Sequence, residues 1–182
     1  MKKYKLTKET LQFAGRTLHR IKALKDFDSI KAGEFGGWIE NEKNLSQDDN
    51  AWIYGNAMVF DNAEVYDNAK VYGNANVSDN AEVYGNANVS DYAKVYGNAV
   101  IKGDAIVHDA VGYIVFKNFW SSGRYFTWTS SNNKWSVGCF YGTGEELIKK
   151  AYADSEKSGR EYERVVRYVE SILADEKKEK SN

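Results

Sequence analysis

The sequence is poor in the residues that most catalytic and metal sites need: its 182 residues hold one cysteine and two histidines. The single Cys139 rules out an intramolecular disulfide and suits a reducing compartment. One Cys and two distant His cannot supply the usual zinc set, so neither a metal nor a cofactor is expected. No glycine-rich phosphate loop appears, because the glycines fall at corners six residues apart. No apolar run approaches the roughly 20 residues of a membrane span, and none at the N-terminus resembles a signal peptide. A cytoplasmic protein without membrane contact is therefore expected. The net charge of −1 conceals an uneven distribution: +5 over 1–38, −8 over 39–110 and +2 over 111–182. The acidic middle repels phosphates, so nucleic acid is not an expected partner.

What the sequence does have is a period. Alanine stands at 51, 57, 63 and every sixth position to 105, with Val or Ile two residues after each, from Ile53 to Val107. Residues two apart in a strand share a face, so the Ala and the Val of each hexad point the same way. The Gly/Asp-Asn pair that follows tolerates the backbone of a corner. A short strand and a corner every six residues make three flat faces per eighteen, a triangular prism of parallel strands about 4.8 Å apart. The phase extends back to Ile39 and Leu45, giving twelve hexads or four coils over 39–110. That prism would stand roughly 20 Å tall. The Asn columns (Asn50, Asn68 and Asn86; Asn62, Asn80 and Asn98) read as corner ladders.

These hexads resemble the hexapeptide repeat of left-handed β-helix proteins, and the handedness is implied by that resemblance alone. The expected fold is mainly β: a left-handed parallel β-helix with an N-terminal β cap over 1–38 and a C-terminal α+β module over 111–178. A frayed tail follows at 179–182. Caps are needed because a bare solenoid exposes unpaired strand edges at both ends. In the first cap, Gly15 reads as the turn between two strands, and Gly36 and Gly37 as a tight turn into the first coil. In the second, "GYIVF" and "YFTWTSSNNKWSVGCF" read as strands around the turn "SSNN". Thr143 and Glu146 then stand in capping-box spacing, and a second helical pattern follows Gly159. The stretch "WSVGCFYGTGEELIKKAYADSEKSGREYERVVRYVESI" resembles the C-terminal module of hexapeptide-repeat proteins of phages and mobile elements, a group often labelled transferases. "RTLHRIKALKDF" and "GEFGGWIENEKNLSQDDNAWIYGNA" resemble their N-terminal half. A His that this group often carries between the two helices is missing here, where the chain reads "DSEKSG".

Hexapeptide-repeat acyltransferases use a His as general base in a groove between trimer subunits, since an imidazole can accept a proton at neutral pH. Of the two histidines, His108 follows the inward Val107 and should point outward, and His19 lies in the N-terminal cap. His108 is the catalytic candidate. No loop interrupts 51–110 and no coenzyme A motif is visible, so neither supports an enzyme. Cys139, in an aromatic strand without a nearby His, reads as buried rather than nucleophilic. "GTGEE" at 142–146 could receive an anion at a helix N-terminus, but Glu145 and Glu146 oppose that and favour capping.

The outward aromatic set is more suggestive: Trp52, Tyr54, Met58, Phe60, Tyr66, Tyr72, Tyr84 and Tyr96. Tyr54 aligns with Tyr72, and Tyr66 with Tyr84, eighteen residues apart. Such columns serve either as structural stacks or as an interface, where Tyr and Trp bury much area at little entropic cost. A homo-oligomer is expected, a trimer in particular, with Trp52 and Phe60 near its contact and a ligand in the groove between subunits. The resemblance implies a non-catalytic accessory factor in a host cytoplasm that inhibits or sequesters a host defence component, a protein or a small signalling nucleotide. An acyltransferase and an oligomeric scaffold stand as alternatives.

Overall fold

The computed structural model of the chain describes residues 1–120 and 122–179. Ten two-residue strands, β4 (Trp52–Ile53) through β13 (Ile106–Val107), follow one another every six residues. Each of the first seven pairs in parallel with the strand eighteen residues on. Trp52, Lys70, Asn88 and Ile106 stack on one face, Met58, Asn76 and Lys94 on the second, and Glu64, Glu82 and Val100 on the third. The expected parallel solenoid of about four coils is therefore present. Every repeat Ala from 51 to 105, and every Val or Ile two residues later, is buried along the axis. The pair fills a prism too narrow for larger side chains at ordinary packing density.

The corners explain the rest of the hexad. At every sixth position from Gly55 to Gly103 the chain turns through the left-handed region, from φ 54° at Asp91 to 72° at Gly97. Only Gly, Asp and Asn visit it readily. Aspartate there does a second job, because its carboxylate accepts the backbone N–H of the next coil: Asp67 N to Asp49 at 2.7 Å, Gly85 N to Asp67 at 3.1 Å and Gly97 N to Asp79 at 2.9 Å. The Asn ladders run alongside, with Asn50 donating to Asn68 at 3.0 Å and Asn68 to Asn86 at 3.3 Å. Asn62 donates likewise to Asn80.

At the N-terminal end, β1 (Tyr4–Phe13) and β2 (Arg16–Ala23) form a hairpin around Ala14 and Gly15, both at positive φ. β3 (Phe35–Ile39) pairs antiparallel with β2 and parallel with Met58–Val59, so the hairpin extends one prism face into a six-stranded sheet. Gly36 and Gly37 are not the turn expected of them. They lie within β3, where an added Cβ would stand 2.6 Å from Ile53 O at Gly36 and 2.5 Å from Ala57 O at Gly37. They are glycine because the first coil presses against them.

After the last coil the chain forms a meander of β14 (Tyr113–Lys117), β15 (Tyr125–Thr129), β16 (Lys134–Val137) and β17 (Phe140–Gly142). Phe126, Trp128, Trp135 and Val137 form one core with Leu147, Ile148, Val166 and Val169 of the helices α1 (Gly144–Asp154) and α2 (Glu156–Glu179). Thr143 and Glu146 make the expected capping box. The second helix begins three residues before Gly159, not after it. Ser155 accepts from Ser158 N to start it, and Gly159 packs against the Tyr152 ring, where a Cβ would collide. Glu179 is helical, and 180–182 of the expected tail lie outside the described residues.

Candidate functional site

Three of the eight outward residues are covered. Trp52, 1 % exposed, sits edge-on to Tyr4 and Phe27 with ring centroids 6.2 and 5.3 Å away. Phe60, 8 % exposed, packs on Phe13 at 5.7 Å beneath Arg16, and the half-buried Met58 joins the same cluster with Leu18 and Trp38. These side chains do point away from the prism axis. The expectation that they lie open at an interface is nevertheless corrected, because the N-terminal segment folds over them, joining Trp52 to the main core and gathering Met58 and Phe60 into a second apolar cluster.

The tyrosines divide by column. Tyr66 and Tyr84 stack with centroids 4.5 Å apart and planes 11° from parallel. The Tyr66 hydroxyl donates to Glu82 at 2.9 Å, and burial together with that carboxylate pushes its pKa well above the ordinary phenol value. Lys102, almost wholly buried, continues the column with its ammonium 5.5 Å from the Tyr84 and Tyr141 rings. This column is structural support. Tyr54 is half-buried against the core, whereas Tyr72 and Tyr96 stand exposed.

His108 follows β13 with its side chain 64 % exposed, and its Nδ1 lies 3.4 Å from the Asp109 carboxylate. His19 instead has Nδ1 3.3 Å from Thr7 O within the hairpin. His108 is thus the histidine with an acidic partner, a pairing that adjacency in the sequence could have signalled. The exposed Ile106 and Val111 lie close by in sequence. Cys139 is exposed, not buried as expected, because the β16–β17 turn at Gly138 carries it out of the sheet. At 142–146 the Glu146 carboxylate accepts from Thr143 N at 2.8 Å, so the chain itself fills the place an anion would take.

Two grooves of about 360 Å³ open on the solenoid. One is lined by the Asn50, Asn68 and Asn86 ladder with Asn88 and the Lys70–Asp28 ion pair, 3.0 Å apart. The other lies where the last coil meets the C-terminal sheet, between Tyr96, Tyr113 and Tyr125. Among the described residues no three His, Cys, Asp or Glu side chains converge as a metal site, and no helix is long and apolar enough to cross a membrane.

Sequence comparisons bear on the solenoid. The family described as YdcK Beta solenoid repeat matches residues 51–67 and 93–109. A relative from Escherichia coli strain K12, named "Uncharacterized acetyltransferase YdcK", is 39 % identical over 69 residues, covering 33 % of this chain and 21 % of the relative. The chain thus spans about a fifth of the length of that curated relative. The matched repeat at 93–109 contains both His108 and Asp109.

Proposed function

We propose that the protein is an acyltransferase of the hexapeptide-repeat kind, with His108 as general base. The observation that carries this reading is the His108–Asp109 pair at the end of the last coil. A carboxylate at Nδ1 favours the tautomer with its proton there and leaves the Nε2 lone pair free to accept one. The name of the Escherichia coli relative supports the same class. In the proposed step an acceptor amine or hydroxyl attacks the acyl carbonyl, its proton passes to Nε2, and the imidazolium then protonates the leaving group. In a single chain the ring stands in water. Side-by-side packing of three prisms would cover the exposed Ile106 and Val111 and wall the groove.

The test is thiol release from acetyl coenzyme A with a panel of amine and hydroxyl acceptors. His108→Asn should lower the rate by about a hundredfold, the usual scale for a general base. Equal rates in the variant, or no release by the wild type, would overturn the proposal. Light scattering should give roughly three times the 20.6 kDa chain mass. A second reading, non-catalytic binding of a host protein or small molecule, is favoured by the exposed Tyr72 and Tyr96. It requires a partner whose retention survives His108→Asn and is lost in Tyr72→Ala or Tyr96→Ala.

A further inference from the structure

The repeat departs from its own pattern at one end. Tyr92 stands where the other hexads mostly carry Asn, and its ring is open to solvent. Tyr96, four residues on, is 58 % exposed, while Tyr66 and Tyr84 at equivalent positions are stacked together. Neither exposed ring adds to the core. Beside Tyr96 lies the groove of about 360 Å³, lined also by Gly97, Asn98, Tyr113, Val115 and Tyr125. Clefts of this size at a junction of two modules commonly hold small ligands.

Charge narrows the class of ligand. The solenoid as a whole is acidic, and the Asp79 carboxylate accepts from Gly97 N at the groove at 2.9 Å, yet two exposed lysines stand at this end. Lys94 precedes Tyr96 on the same outward face, and Lys117 Nζ lies 5.6 Å from the Tyr125 ring centroid. Among the described residues neither ammonium has a carboxylate within 4.0 Å. The Tyr113 hydroxyl is occupied by the backbone of the last coil, so Tyr113 offers the groove its ring and little polarity. We infer that this groove binds a small anion bearing a flat unsaturated ring, the chemistry of a nucleoside monophosphate. The tyrosines would stack on the ring and Lys117 would meet the anionic group. The inference stands apart from His108, which is not among the groove's lining residues.

The experiment is calorimetric titration of the full chain with adenosine 5′-monophosphate and, in parallel, adenosine at low salt. Saturable binding of the monophosphate is expected. Tyr96→Ala should weaken it about tenfold, as loss of one aromatic stacking partner does. Lys117→Gln should weaken the monophosphate several-fold and leave adenosine unchanged. Both substituted positions are solvent-facing, and a thermal melt of each variant confirms that it folds. No saturation by about 10 mM, which is weaker than any specific site of this size, overturns the inference. So does binding that Tyr96→Ala and Lys117→Gln leave intact.

Discussion

The two ends of the solenoid solve the same problem with different chemistry. At the N-terminal edge, carbonyls lack the coil that would have donated to them, and the chain supplies donors. Lys3 Nζ reaches Asp49 O at 3.0 Å and Ala51 O at 2.9 Å, and Asn44 Nδ2 reaches Asp61 O at 3.1 Å and Ala63 O at 2.9 Å. At the C-terminal edge both N–H and C=O groups are left over, and there the chain supplies hydroxyls, which can both donate and accept. Tyr113 OH accepts from Tyr96 N at 3.3 Å and donates to Lys94 O at 3.0 Å. Thr127 and Ser131 accept from Val100 N and Ile106 N, and Tyr141 OH reaches Lys102 O at 3.2 Å. Glu40 accepts from Asp61 N and the Tyr4 hydroxyl donates to Leu45 O at the N-terminal edge as well, so the difference is one of emphasis: an ammonium and an amide predominate at one edge and hydroxyls at the other.

Four variants probe that contrast, with the prism interior as reference. Val83 is wholly buried in the middle of the stack, so Val83→Asp should cost about 4 kcal/mol or more in a denaturant titration, because nothing there can pair a carboxylate. A loss smaller than that of any cap variant would mean the caps, not the interior, hold the fold. Lys3 comes next. It is 1 % exposed, and burial outweighs the nearby Asp49 and pushes its pKa down to about 8. The unfolded chain therefore keeps this proton to higher pH than the folded one, and the Lys3 contribution to stability rises as pH climbs from 8 toward the ordinary 10.5. Compared with Lys3→Met, the wild type should gain about 2 kcal/mol between roughly pH 7 and 9.5. A flat difference would show that the ammonium is not buried. The comparison must stay below pH 10, since Tyr66 has a raised pKa and its contribution is lost above the ordinary phenol value.

The hydroxyl end should respond more mildly and without pH dependence in that window. Tyr113→Phe keeps the ring but leaves Tyr96 N and Lys94 O unpaired, for an expected loss of about 1–2 kcal/mol by thermal melt. Thr127→Val removes a single acceptor from Val100 N and should cost about 1 kcal/mol. Equal and negligible losses would mean that water can replace both hydroxyls at that edge.

Much of the candidate surface was hidden from the sequence for a related reason. Trp52, Met58 and Phe60 have the outward phase of the repeat, and only the folded N-terminal hairpin shows that outward is not the same as exposed. The Tyr66–Tyr84 stack follows from eighteen-residue spacing, since both residues share one column. The groove beside Tyr96 does not, because Tyr113 and Tyr125 reach it from a separate sheet. His108 and Asp109 were visible as neighbours, and adjacency alone signalled the contact that their side chains make at 3.4 Å.

The period-six pattern by itself determined the solenoid. Each hexad is a complete local rule, with Ala and Val for the axis, Gly or Asp for the left-handed corner and Asn for the ladder, and ten repetitions leave no competing register. Only the tertiary structure decided what closes the ends and what stays open. Lys3 lies forty-six residues from the carbonyl of Asp49, and Tyr141 thirty-nine from that of Lys102. No periodicity links such partners. They meet because the cost of unpaired backbone groups at a strand edge draws distant side chains to it.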